Sequence, residues 1–186
     1  MSILYSYLSL GYTHVLPLGF DHVLFILTLF FASNSWRTIA LQCTIFTAAH
    51  SLALGISLRG YLMPNSQLIE VLIASSIVYS AVENIVGSST KISRNLVVFF
   101  FGLLHGLGFA QALMQIGLPK HQFFTALLSF NLGVESGQLS VILVAYLLIF
   151  KWFGNKPGYQ QYVVYPISSG IACIALYWTV ERILLL

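Results

Sequence analysis

Charge is what this sequence has least of. Eight Lys and Arg and five Asp and Glu are all that its 186 residues carry, 7% of the chain, against roughly 25% in soluble domains. With 58% of the residues hydrophobic, too little polar side chain is present to clothe a water-soluble globule. The basic residues stand singly between apolar runs, without a cluster or stripe, which excludes nucleic acid as a partner and leaves lipid headgroups. Cysteine is scarce too. Cys43 and Cys173 each fall inside an apolar run and read as small hydrophobes, so no disulfide is expected. No Gly-rich phosphate loop and no H-E-x-x-H helix occur, which removes the usual signatures of a nucleotide-driven pump and of a zinc protease. Residues 1–16 lack a basic n-region and a small-residue cleavage site, so a removable signal peptide is not expected.

What the sequence does contain is a series of apolar runs close to the ~20 residues that a helix needs to cross a bilayer. They fall at about 18–33, 38–58, 67–86, 95–116, 122–150 and 162–185. Ser33-Asn34-Ser35, Arg59 to Ser66, Gly87 to Arg94, Gly117 to His121 and Lys151 to Gln161 separate them. Residues 1–16, rich in Tyr and Ser, predict a helix lying at the membrane interface, and Pro17 and Gly19 break it from the first span. The expected fold is an all-α polytopic membrane helix bundle, one membrane domain over 1–186 with about six transmembrane helices and an N-terminal interfacial helix. The fifth run exceeds a bilayer's thickness and predicts tilt; Pro166 predicts a kink early in the sixth. Arg37, Lys91, Arg94, Lys151 and Lys156 follow odd-numbered spans, against Arg59, Lys120 and Arg182 on the other side. That excess places the odd loops in the cytoplasm and both termini outside, in the periplasm if the membrane is a bacterial inner membrane.

Most of the few titratable groups lie inside the runs. A charged side chain at mid-membrane costs around 2.5–3.5 kcal/mol on insertion scales, so such groups face a cavity, a partner or an ion. Asp21 and His22 open the first span, Thr47 and His50 sit one turn apart in the second, and His105 lies in FGLLHGLGFA of the fourth. In the fifth, Asn131, Glu135 and Gln138 recur at i, i+4, i+7 and share one helical face. Asp21, His22, His50, His105 and Glu135 are the candidate ligands of one site inside the bundle. Imidazole and carboxylate donors suit a borderline divalent cation, Ni, Co, Zn or Cu. Thr47, Glu83, Asn84, Asn131 and Gln138 are candidates for supporting or pathway positions. His14 falls at the mouth of the site if the first helix folds over the bundle. Gly102 and Gly106, with Gly108 beside them, form a G-x-x-x-G step for close helix packing, a homo-oligomer interface being the alternative. Glu70, and Glu181 beside Arg182, read as interfacial, and His121 as a solvated loop residue. AHSLALG at 49–55 echoes LHGLGFA at 104–110, and AVEN at 81–84 echoes GVES at 133–136; with so few identities this reads as chance.

GFDHVLFILTLF, FTAAHSLALG, AVEN, FFGLLHGLGFA and FNLGVESGQ together resemble the HupE/UreJ family of small membrane proteins. The likeness covers about residues 14 to 142. It implies a nickel or cobalt permease, with His14, Asp21 and His22 matching the family's H-x-x-x-G-x-D-H motif; here four residues, not three, separate His14 from Gly19. The expected function is therefore secondary transport of a divalent transition-metal ion. A membrane-embedded hydrolase with zinc on His22, His50 and His105, and a metal sensor or assembly protein, are the alternatives.

Overall fold

A computed structural model describes residues 2–62, 65–87, 91–116 and 120–186, without the side chains of 91, 92, 116 and 120. The polar turns expected at 88–90 and 117–119 lie outside the described residues. All regular structure among the described residues is helical: α1 (Ile3–Val15), α2 (Phe20–Ala32), α3 (Trp36–Leu58), α4 (Ser66–Val86), α5 (Lys91–Ile116), α6 (Phe123–Phe153) and α7 (Gln160–Leu184). Five of these, α3 to α7, are long and apolar enough to cross a membrane, and α1 with α2, bent by 71° at their junction, together meet the same criteria as one broken span. The chain is thus an integral membrane helix bundle.

The helix ends follow local chemistry. Asn65 caps α4 by accepting from the N–H groups of Gln67 and Leu68, and Gly87 closes it in the left-handed conformation at φ 70°, where a side chain would strain the backbone. The length in excess of a bilayer is real: α6 runs for 31 residues and takes up a π-helical turn at Tyr146–Phe150. At the start of α7 a π turn occupies Gln160–Val164, and Pro166 follows within the first turn of the α-helix, where its missing N–H costs least.

Three helix pairs make up most of the packing: α3 with α5, α1 with α6, and α4 with α7. A Cβ on Gly102 would run into the carbonyl of Phe46, and one on Gly106 into the carbonyl of His50. The G-x-x-x-G step is therefore spent inside the chain, bringing α5 onto the backbone of α3. The same device joins α1 to α6, where Gly133 lies against the backbone of Leu8 and Tyr12, and Val15 lies against Gly137. Helix α1 runs in the direction of α6, with Tyr7, Gly11 and Val15 buried. It is thus built into the bundle, where the sequence predicts a helix resting at its interface. Gly108 faces the side chains of Ile73 and Ile69 and no neighbouring backbone.

Arg59 over the rings of Phe123 and Phe124 joins the end of α3 to the start of α6. Gln67 donates to the Leu185 carbonyl at 3.1 Å, joining the start of α4 to the chain's end. These contacts define a C-terminal face. At the opposite face the ends of α2 and α4 meet the starts of α5 and α7 around Ala32, Asn84, Arg94 and Gln160.

Candidate functional site

Four of the five histidines gather in the middle of the bundle, one each from α1, α2, α3 and α5. Ring centroids lie 4.6 Å apart for His14 and His22, 4.8 Å for His22 and His105, 5.9 Å for His22 and His50, and 6.0 Å for His14 and His50. Local backbone makes this approach possible. A Cβ on Gly19 would collide with the carbonyl of His14, so the glycine lets the end of α1 close over the start of α2 and bring His14 to His22. Gly106 likewise lets α5 seat His105 against α3.

The imidazoles are buried and short of partners. His50 is wholly buried and His105 nearly so. Among the described residues no hydrogen-bond partner exists for Nε2 of His14, His22 or His105, nor for either ring nitrogen of His50. An unsatisfied buried polar group costs about 1–3 kcal/mol, so this set is arranged for something that supplies partners. His105 shows which kind. Its Nδ1 lies 2.8 Å from the Phe101 carbonyl, which can only accept; Nδ1 therefore carries the proton and Nε2 presents a lone pair. A lone pair held inward this way suits a cation or a donated hydrogen.

Beside the rings lies a cavity of about 480 Å³, lined by His14, Asp21, His22 and His105 and, toward the C-terminal face, by Glu70 and Arg182. His50 stands behind it, against His14 and His22. Asp21 is held by Arg182, whose Nη2 donates to both carboxylate oxygens at 3.0 and 3.2 Å. This pair spans the chain from α2 to α7. The sequence reading assigns Arg182 to a local pairing at the membrane surface, and nothing in the local spacing announces its partner 161 residues away.

The other predicted positions divide. Glu135 is half-buried and accepts from Thr44 at 3.3 Å, and Gln138 accepts from Thr47 at 3.3 Å; both pairs tie α6 to α3. Glu135 does not line the cavity. Asn131 donates to the Leu127 carbonyl of its own helix. Among the described residues, no group of three or more His, Cys, Asp or Glu stands ready to hold a metal ion. The rings that do meet, meet mostly edge to face, at interplanar angles of 71–72° for His22 against its three neighbours. The expected five-ligand site is therefore not assembled in this conformation: Asp21 is engaged by arginine, Glu135 by threonine, and the imidazoles pack on each other.

Beneath the histidines, away from the C-terminal face, aromatic rings close the bundle. Phe46 lies 5.0 Å from His105 and Phe25 lies 5.2 Å from Phe46, and Phe101 packs edge-on to Phe25 at 5.8 Å. One turn further on, polarity resumes. Thr28 lies 2.7 Å from Ser80 and its carbonyl accepts from Asn84 at 2.8 Å. Asn84 accepts from Arg94 at 2.8 Å, and Arg94 pairs with Glu83 at 3.3 Å. Glu83, Asn84, Arg94 and Gln160 border a second cavity, of about 140 Å³, at the opposite face.

A family model described as HupE / UreJ protein matches residues 1–182, nearly the whole chain. No curated protein matches. No solved structure matches.

Proposed function

Because this chain belongs to the HupE/UreJ family, we propose that it is a secondary transporter of a divalent transition-metal cation, with nickel and cobalt the first candidates and zinc and copper chemically admissible. One observation carries the reading: among the described residues four clustered imidazoles hold five nitrogens without a hydrogen-bond partner, and three of those rings, His14, His22 and His105, line a cavity with the Asp21 carboxylate inside a membrane-spanning bundle. Neutral imidazole is the commonest protein ligand for such ions, and the cavity lies toward one face only. The cation enters there, meets Asp21, His14, His22 and His105, and passes toward Thr28, Asn84 and Glu83 once the Phe25, Phe46 and Phe101 layer parts. Binding requires the rings to turn from packing on each other to facing one ion. The bacterial inner membrane is the proposed setting, with the C-terminal face periplasmic, in keeping with the Lys and Arg distribution.

The test is uptake by proteoliposomes. Vesicles holding the purified protein should accumulate Ni or Co under an imposed proton gradient, saturably and above empty vesicles. Absence of uptake for Ni, Co, Zn and Cu alike would refute transport. A cysteine replacing Ser2 should react with an impermeant thiol reagent from the periplasmic side, and reaction only from the cytoplasm would reverse the orientation.

A further inference from the structure

Of the two acidic residues that line the cavity, Asp21 and Glu70, Arg182 occupies the carboxylate of Asp21, and the details of that occupation suit a temporary tenant. Its Nη2 bridges both oxygens of Asp21, its Nη1 donates to the Glu70 carbonyl at 2.9 Å, and its guanidinium lies over the Trp178 ring at 5.6 Å. Neither partner is sealed: the side chains of Arg182 and Asp21 are 19% and 28% exposed, and both line the same cavity. A carboxylate clasped on both oxygens by a guanidinium has spent its strongest acceptor directions. A divalent ion at Asp21 would also meet a fixed positive charge a few ångströms away and be repelled by it. The two cations cannot share the site. Glu70 gives the displaced arginine somewhere to go, since the residue whose carbonyl already holds Nη1 also carries an exposed carboxyl side chain and lines the cavity.

We propose that Arg182 is a tethered stand-in for the cargo: it neutralises Asp21 while the cavity is empty and must leave when a divalent cation binds, so that it sets the affinity of the site. This rests on the transport reading above and adds a residue to it. The arginine keeps monovalent cations off Asp21, because only an ion with more charge and with imidazole ligands to gain can displace a guanidinium whose Nη2 holds both carboxylate oxygens.

The test is calorimetric titration of NiCl2 into the purified, detergent-solubilised protein. Arg182→Gln should bind Ni about tenfold more tightly than the unmodified protein, and Arg182→Lys, which holds the carboxylate through a single point charge, should fall between them. Adding Asp21→Asn to Arg182→Gln should abolish the gain. A second measurement separates charge from architecture: millimolar ethylguanidinium should weaken Ni binding to Arg182→Ala by refilling the vacated place, and should leave the unmodified protein unaffected. Equal affinity in the unmodified protein and Arg182→Gln, or weaker binding in Arg182→Gln and Arg182→Lys alike, overturns the stand-in role and leaves transport standing. Absence of binding by every form when Ni, Co, Zn and Cu are each titrated overturns the transport reading and this proposal with it.

Discussion

Each face of the bundle has an arginine and a carboxylate paired across helices, and the two pairs live in different surroundings. Asp21 and Arg182 border the larger cavity, with 28% and 19% of their side chains exposed, whereas Glu83 and Arg94 are 6% and 11% exposed. The first pair shares its cavity with three imidazoles, those of His14, His22 and His105. The second is stitched to Asn84, Thr28, Ser80 and Ser168 by hydrogen bonds that join α2, α4, α5 and α7. A wetter pair gives up little when it opens, because water replaces the lost partner; a drier pair loses several kcal/mol. The same chemical couple thus acts as an exchangeable contact at one face and as a clamp at the other.

Four substitutions or conditions sharpen that contrast, in decreasing order of expected effect. Gly106→Leu should cost more than ~3 kcal/mol and abolish uptake, since the new side chain meets the His50 carbonyl, which cannot yield as a flexible side chain would. Thermal unfolding in detergent and Ni uptake both report it, and wild-type uptake would mean the helix contact is dispensable. Glu83→Gln should destabilise the protein by about 3 kcal/mol by stranding buried Arg94, yet leave Ni affinity at the other face unchanged when titrated below the melting point. A large loss of affinity would join the two regions into one site. His22→Ala should show the converse, a fall in Ni affinity of ~100-fold or more with little change in melting temperature, because it removes a ring that already lacks a hydrogen bond at Nε2. The smallest effect is that of pH. Protons and metal compete for the same imidazole lone pairs, so Ni affinity should decline as pH falls, by no more than ~10-fold per pH unit for each proton displaced. His22→Ala should flatten that slope and Glu83→Gln should not.

Hydropathy made the spans legible, since a bilayer demands long apolar helices and little else. It also made the depth of the histidines legible, and His22, His50 and His105 do meet. Direction around the helix was harder to read. Glu135 has the right depth, yet its neighbour is Thr44, because span composition does not fix which way each helix turns toward the next. Arg182 shows the opposite failure. Beside Glu181, near the end of the chain, it resembles an ordinary surface charge, and only the pairing of α7 with α4 and α2 brings it to Asp21. The place of α1 was hidden for a similar reason: Gly11 and Gly133 look unremarkable until they are seen to face each other across 122 positions of sequence.

That docking of α1 has a consequence for biogenesis. At 13 residues each, α1 and α2 fall short of the length a membrane-spanning helix needs, and the surface that receives α1 lies around Phe130 and Val134 of α6. At ~5–20 residues per second of synthesis, α1 waits on the order of ten seconds after leaving the ribosome before its seat exists. During that interval the N-terminal segment has no seat in the bundle, and the wall of the cavity that carries His14 cannot be installed before α6 is made. A nascent chain stalled short of residue 123 would leave α1 open to added protease, and one stalled beyond residue 153 would shield it.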